Sequence, residues 1–147
     1  MRISSKGRYG TRAMFDLALH RGDGPQPIRA IAARQGLSEQ YLEQLFGKLR
    51  AAGLVSSSRG AQGGYELSRP PDRITVGEVL RALEGPIAVA KCLEGVACER
   101  SGTCASRAIW QRVNDSINLV VDGITLGDML ADYHQQEGME HERNLHG

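Results

Sequence analysis

Three cysteines lie within one 13-residue segment, and the remainder of the 147-residue chain contains none. Five residues separate Cys92 from Cys98, and five separate Cys98 from Cys104, in a stretch rich in small and polar residues. Three thiols on one loop are able to converge on a single point, and thiolates are soft ligands that suit iron–sulfur clusters, zinc and copper(I). The segment is therefore a candidate metal or cluster site.

Two other roles for these cysteines stay open on the residues alone. Structural zinc prefers four protein ligands, commonly in closely spaced cysteine pairs, and the five-residue gaps disfavour it. A metal-free thiol switch is the second alternative, because the cations Lys91 and Arg100 favour the reactive thiolate form of a nearby cysteine. The odd number of cysteines argues against a structural disulfide.

The elements before the cysteines are predicted to be mostly helical. Residues 8–20 repeat apolar positions at spacings of three and four, which predicts a helix. A short helix over residues 28–35 ends at Gly36, and Ser38 is the N-cap candidate of the next helix, which runs to Gly53. Two helices joined by a glycine-containing turn are typical of a helix-turn-helix.

A β-hairpin is predicted directly after the second of these helices. Residues 54–58 and 65–67 read as strands, and the glycine-rich turn of residues 59–64 joins them. A hairpin in this position is a wing, whose glycines let the backbone approach a phosphate or a minor groove. A nucleotide-binding P-loop is disfavoured because its lysine and Ser/Thr are missing.

The second half contains the predicted sensing and association region. Residues 76–83 form a helix, the cysteine loop follows, and a longer helix covers residues 105–121. We interpret that helix as a dimerisation helix, although packing on its own domain is the alternative. Its apolar residues are Trp110, Val113, Ile117, Val120 and Val121.

The predicted fold class is mainly α with a small β-hairpin wing, that is, a winged helix-turn-helix plus a long C-terminal dimerisation helix. We expect a DNA-binding region in residues 1–75 and a sensor loop with the dimerisation region in residues 76–132. A last short helix is predicted for residues 126–133. Residues 133–147 are polar, and we expect them to be disordered.

Charge is distributed unevenly between the two halves. Residues 1–75 contain 12 Lys and Arg against 6 Asp and Glu, whereas residues 76–147 contain 6 against 11. A basic half is typical of a nucleic-acid-binding module. No stretch approaches the ~20 apolar residues of a membrane span. The N-terminus lacks an apolar signal-peptide core, so we expect a cytoplasmic protein.

In a helix-turn-helix, the N-terminal residues of the second helix reach base edges in the major groove. Here those are Ser38, Gln40, Tyr41 and Gln44, and glutamine pairs with adenine through two hydrogen bonds. Glu43 repels phosphate unless it accepts from a cytosine amino group, which suits discrimination rather than affinity. The expected backbone and minor-groove contacts are Arg2, Ser4, Lys6, Lys48, Arg59 and Gly60.

Several motifs in the order found here resemble the IscR family of winged-helix regulators, which includes NsrR, RirA and the cluster-free CymR. They are SSKGRY (4–9), YLEQLF (41–46), VSSSRG (55–60) with GGY (63–65), TVGEV (75–79) and ITLG (124–127). The resemblance covers about residues 1–132. It implies a homodimer that binds an imperfectly palindromic operator in double-stranded DNA. It also implies an iron–sulfur cluster on Cys92, Cys98 and Cys104, with [2Fe–2S] favoured and [4Fe–4S] possible.

The chain departs from the family pattern at the fourth cluster ligand. IscR-type proteins have a histidine three residues after the last cysteine, where this chain has Arg107. Arginine stays protonated and has no lone pair to offer a metal. The N-terminal aspartate used by NsrR-type proteins is replaced here by Arg8. The remaining candidates are a water, an external thiol, or one of Asp16, His20, Glu94 and Glu99.

The sequence thus predicts a transcription regulator that senses iron–sulfur status, or redox or nitrosative stress, through a cluster on three cysteines. A cluster-free thiol-switch or ligand-responsive regulator of the same fold is the alternative. An iron–sulfur carrier is a further alternative, which the basic half and the wing disfavour. An enzyme is not expected, because the chain lacks a nucleophile–base pair, a phosphate loop and a catalytic carboxylate pair.

Overall fold

The computed structural model describes residues 2–60, 63–90, 93 and 104–146. The helices of the described residues are α1 (Ser5–Leu19), α2 (Ile28–Gln35), α3 (Glu39–Ala51), α4 (Val76–Glu84), α5 (Ala105–Asp122) and α6 (Leu126–His146). The strands β1 (Val55–Ser58) and β2 (Gly64–Leu67) follow α3, and a 3-10 turn (Pro71–Arg73) precedes α4. Within the described residues, no helix is long and apolar enough to cross a membrane.

Helices α2 and α3 form the predicted helix-turn-helix. Gly36 ends α2 in a left-handed conformation with φ 66°, which glycine adopts without the steric cost of a side chain. The amide of Leu37 then donates to the carbonyl of Ala32 at 3.1 Å. Ser38 caps α3 by accepting from the amide of Tyr41 at 3.1 Å. The tight turn fixes the direction in which α3 leaves α2.

Strands β1 and β2 form the antiparallel wing, with Val55 opposite Leu67 and Ser58 opposite Gly64. Phe46 of α3 stacks on Tyr65 of β2 with ring centroids 4.7 Å apart, which joins the wing to the helix before it. A bridge between Gln26 and Tyr65 ties the wing to the segment before α2. The predicted fold class, mainly α with a β-hairpin wing, is confirmed.

One apolar core extends from α1 to α6. Its largest fully buried apolar side chains are Phe46, Met14, Ile31, Leu42, Leu45, Leu49, Ile74, Leu126 and Val79. Helix α1 packs so closely on α4 that a β-carbon on Gly10 would collide with the side chain of Leu83. The core continues across residue 75, so α4 and the start of α6 support residues 1–75 directly.

Polar side chains join α4 to α5. Arg81 donates to both carboxylate oxygens of Asp122, at 2.7 and 2.8 Å, and to the side-chain oxygen of Asn118 at 2.6 Å. The hydrogen bond from Arg81 and its charge lower the pKa of Asp122 despite an opposing effect of burial. Helix α4 begins with a capping box between Thr75 and Glu78. The hydrogen bonds of Arg81 fix α5 against α4 along the polar face of α5.

The C-terminal residues differ from the expectation of a short helix followed by disorder over 133–147. Helix α6 continues without a break to His146. Residues 134–146 contain no proline and include three Glu and two Gln, which are good helix formers, so the polar composition that suggested disorder is equally compatible with an exposed helix. Tyr133 packs edge-on against Phe15 of α1, with ring centroids 5.4 Å apart, and anchors this extension.

Candidate DNA-binding surface and cysteine segment

Helix α3 has one buried face and one exposed face. Leu42, Leu45, Phe46 and Leu49 face the core at the period of an α-helix. Gln40, Glu43 and Gln44 are exposed and lie on the opposite side of the helix from these buried positions. The predicted base-reading side chains therefore share the solvent-facing side of the helix.

Ser38 and Tyr41 have structural roles in addition to their predicted contacts. The oxygen of Ser38 caps the helix, while its hydroxyl proton keeps the capacity to donate. Tyr41 is half-buried, with its ring edge-on to Tyr9 of α1 at 6.2 Å. The guanidinium groups of Arg8 and Arg12 lie 5.6 and 5.5 Å from the centre of the Tyr9 ring. This contact positions the start of α3 against α1.

An open cleft of about 1060 Å³ brings the predicted backbone contacts together at the start of α1 and the end of α3. Arg2, Ser4, Lys6 and Lys48 all line it, as expected for residues that share one phosphate-binding surface. The ammonium group of Lys48 also donates to the carbonyl of Leu83 at 3.4 Å. Arg81, which sequence analysis did not select, lines the same cleft.

Glu84, the last residue of α4, was also missed as part of this surface. Its carboxylate accepts from the amide of Ser4 at 2.9 Å and from the Ser4 hydroxyl. Ser4 is the N-cap of α1 and accepts from the amide of Gly7 at 3.4 Å. No local pattern reveals this contact, because 80 positions separate the two residues in sequence.

The wing carries Arg59 and Gly60 as exposed residues, with Gly60 in a left-handed conformation at φ 107°. The amide of Gly63 donates to the carbonyl of Gly60 at 2.9 Å, which joins the two sides of the hairpin. Arg50 of α3 donates to the hydroxyl of Ser57 at 3.2 Å. Strand β1 is thus held to α3, and Arg59 extends from a supported hairpin.

The cysteine segment is only partly within the described residues: Cys92 and Cys98 lie outside them, as do Glu94 and Glu99. Cys104 is half-buried at the N-cap of α5. On the other side of the segment, the amide of Val89 donates to Asn114 at 3.0 Å, and Asn118 donates to the carbonyl of Ile87 at 3.5 Å. Both ends of the segment therefore attach to α5.

Arg107 occupies the first turn of α5, and its amide donates to the carbonyl of Cys104 at 3.2 Å. Its Nε atom is buried and has no hydrogen-bond acceptor among the described residues. A buried N–H without an acceptor costs about 1–3 kcal/mol. The guanidinium lies one helical turn from Cys104, where it is available to donate to a thiolate or another anion but not to bind iron.

Two of the remaining candidates for a fourth ligand have other partners. Asp16 is 2% exposed, and its carboxylate accepts from Arg34 at 2.7 and 2.9 Å and from Gln35 at 3.1 Å. His20 Nδ1 lies 2.9 Å from the carbonyl oxygen of Asp16. Among the described residues, no group of three potential metal ligands comes together.

The donor chemistry nevertheless fits a cluster held by three protein ligands. Three thiolates suit iron–sulfur chemistry, and the Nε–H of Arg107, which has no acceptor among the described residues, suits an anionic neighbour better than an apolar one. A fourth ligand from Arg107 does not fit.

A family model described as "Rrf2: Iron-dependent Transcriptional regulator" matches residues 3–132. The regulator IscR of Aliivibrio salmonicida is 44% identical over 137 residues, which are 93% of this chain and 82% of that protein. Among solved structures, T. potens IscR has a TM-score of 0.75 at 49% identity, with 90% of this chain and 88% of that chain covered. CymR of B. subtilis, titled a global cysteine regulator, has a TM-score of 0.77 at 47% identity, with 90% and 98% covered.

These similarities extend over both halves of the chain and include the helix-turn-helix, the wing and α5. The relatives are named transcriptional regulators and not enzymes. The chain is therefore a DNA-binding transcriptional regulator and belongs to the Rrf2 family.

Proposed function

We propose that this regulator binds an imperfectly palindromic operator as a homodimer and senses iron–sulfur status, or redox or nitrosative stress, through a cluster on Cys92, Cys98 and Cys104. The observation that carries the DNA-binding part is the exposed row of Gln40, Glu43 and Gln44 on α3, between the basic cleft and the wing.

The exposed side of α3 supports base reading from the major groove. Gln40 and Gln44 supply amide groups that pair with adenine, and Ser38 supplies a hydroxyl at the start of the helix. The charge of Glu43 repels phosphate at the same surface. Its carboxylate therefore favours a base that offers a hydrogen-bond donor. The cleft residues Arg2, Lys6 and Lys48 fix the helix on the backbone, while Arg59 and Gly60 contact the flanking groove.

The apolar side of α5 supports a homodimer. Within the described residues, α5 buries none of its side chains fully. Ile109, Val113 and Val120 are 56%, 41% and 59% exposed, and their spacing places them on one side of the helix. Asn114, Asn118 and Asp122 occupy the opposite side and face α4 or the cysteine segment. A second copy of α5 is the occupant that a two-fold palindrome requires.

The cysteines supply the sensing part of the proposal. Cys92, Cys98 and Cys104 would ligate the cluster, and Arg107 would donate a hydrogen bond to it or to a thiolate from the first turn of α5. When bound, the cluster supplies a centre that reacts with oxygen, nitric oxide or small thiols. A [2Fe–2S] cluster follows the similarity to IscR, and a [4Fe–4S] cluster is possible with three cysteines and one open iron.

The DNA-binding part is tested by selecting duplexes from a random library with the purified protein. We expect a two-fold symmetric site whose half-sites are separated by one or more helical turns. Binding should weaken steeply as the salt concentration rises, because phosphate contacts release counterions. Recovery of no symmetric site, or affinity independent of salt, would contradict this part and favour an iron–sulfur carrier.

The sensing part is tested by visible absorption with iron and sulfide analysis of protein purified without oxygen. We expect broad charge-transfer bands that disappear in Cys98→Ala, and the iron-to-sulfide content separates the two cluster types. A colourless, iron-free wild-type protein that still selects a palindrome would favour the second candidate, a cluster-free thiol-switch regulator. The specific support for that candidate is Arg107 in the position of the expected ligand, together with the similarity to CymR.

A further inference from the structure

The N-terminus of α1 already holds an anion that belongs to the chain. Both hydrogen-bond donors of Ser4, the backbone amide and the hydroxyl, are directed at the carboxylate of Glu84. The carboxylate also lies against the first turn of α1, because a β-carbon on Gly7 would be 3.0 Å from Glu84 Oε1. Both donors of Ser4 are therefore used within the protein.

The same donors are those that a DNA phosphate needs. Amides and hydroxyls at a helix N-terminus bind phosphate through hydrogen bonds and the helix dipole. Arg2, Lys6, Lys48 and Arg81 line the cleft that contains Glu84, so its positive charge would attract a phosphate to this place. Glu84 is the only acidic residue that lines this cleft within the described part of the chain.

Glu84 also lies at the junction between the DNA-binding half and the cysteine segment. It is the last residue of α4, and Gly85 follows with φ 83°. Two residues later the chain reaches Ile87–Val89, which Asn114 and Asn118 hold to α5. Glu84 thus lies immediately before the segment that leads to the cysteines.

We propose that Glu84 is an intramolecular competitor for a DNA phosphate at the N-terminus of α1, so that DNA binding requires its carboxylate to leave Ser4. The inference rests on the proposed operator binding and adds a regulatory contact to that surface. In the described state Ser4 has no donor left for a phosphate unless Glu84 moves.

The test is the affinity of wild type and Glu84→Gln for a short mixed-sequence duplex, measured by fluorescence anisotropy at low ionic strength. A mixed sequence suffices because sequence-independent affinity comes from phosphate contacts. Glutamine keeps the size of the side chain, but its neutral amide oxygen accepts from Ser4 more weakly than a carboxylate does, so a phosphate displaces it more easily. We expect about three- to fivefold tighter binding, a size typical of one exposed charge pair, and a smaller gain at high salt.

Glu142→Gln on the exposed part of α6 is the matched control, since it changes net charge equally outside the cleft. The gain in affinity of Glu142→Gln over wild type should be clearly smaller than that of Glu84→Gln. Glu84→Gln that binds no tighter than Glu142→Gln overturns the inference, whatever its thermal stability. Failure of the wild-type protein to bind duplex DNA would instead overturn the proposed function, so the two failures are distinguishable.

Discussion

Asp16 is the one charged residue that is buried among the described residues, and it joins the first two helices. Its carboxylate accepts two hydrogen bonds from Arg34 and one from Gln35 at the end of α2. Arg34 also donates to Gln26 at 2.9 Å, and Gln26 bridges to Tyr65 in the wing. The hydrogen bonds of Asp16 and Arg34 therefore fix the position of the helix-turn-helix and the wing relative to α1.

Replacement of Asp16 by Asn is expected to destabilise the protein. The amide keeps the shape but loses the charge that faces Arg34, and it places a donor where an acceptor is needed. We expect the free energy of unfolding to fall by about 1–3 kcal/mol, the cost of leaving buried polar groups unsatisfied. Urea denaturation measures it, with Asp132→Asn on exposed α6 as the control. A loss no larger than that of the control would contradict the role given to Asp16.

We expect residue 107 to determine how strongly the proposed cluster is protected from oxygen. Histidine in this position is expected to restore a fourth ligand, whereas arginine leaves one iron open. Arg107→His should therefore lengthen the lifetime of the charge-transfer absorption in air, by on the order of tenfold, the scale on which ligand-shell changes alter metal affinity.

Arg112→His serves as the control for this prediction, because Arg112 is exposed on the same helix. The measurement is the decay of visible absorbance after exposure of anaerobically purified protein to air. Equal decay in wild type and Arg107→His would show that residue 107 does not control access to the cluster.

At the scale of elements, the boundaries predicted from sequence are accurate where the signals are local. The apolar period of α3, its Ser38 cap and the glycine that ends α2 act within a few residues, so they are readable without a structure. The contact of Ser4 with Glu84 and the attachment of Val89 to Asn114 join distant positions and leave no such pattern. The length of α6 was missed because polar helix formers resemble a disordered tail in composition.

The pair of Arg81 and Asp122 makes the contact of α4 with α5 dependent on pH. The hydrogen bond from Arg81 lowers the pKa of Asp122 in the folded state. A lowered folded-state pKa contributes stability above the unfolded-state value, and that contribution is lost as the pH falls through the folded-state value.

Asp122→Asn should accordingly cost about 0.2–1 kcal/mol at neutral pH, the range of exposed ion pairs. The difference from wild type should shrink in acid below the ordinary carboxyl pKa of about 4. Urea unfolding at both pH values provides the measurement, and Asp115→Asn on the same helix is the comparison. A difference that grows on acidification would be inconsistent with this pair.

For the whole molecule, the separation of charge and the exposed apolar side of α5 both favour association through the acidic half. The basic half contains α3 and most of the residues that line the cleft, while the acidic half contains α5 and α6. Association through the acidic half would leave two basic surfaces accessible to one DNA duplex. The net charge of +1 conceals this arrangement, because it sums the two halves.

A charge on the apolar side of α5 is expected to prevent association. Val113→Glu should convert the wild-type dimer to a monomer at micromolar concentration, since burying an unpaired carboxylate costs several kcal/mol. Light scattering after size-exclusion chromatography measures the mass. Leu145→Glu makes the same kind of change at a residue that is 68% exposed on α6, and it should leave the dimer intact. A monomeric wild type, or a dimeric Val113→Glu, would rule out this interface.

The attachment of both ends of the cysteine segment to α5 has a consequence for how such regulators diversify. Asn114 fixes Val89 ten positions along the helix from Cys104, a span of about 15 Å on a rigid scaffold. The 14 residues in between therefore form a segment whose two ends are fixed to one helix. We expect its residues to be exchangeable without a change to the helix-turn-helix. A helix that fixes both ends of a sensor segment allows one fold to acquire different sensors. We expect this segment to be the unit to transplant when a new response is engineered.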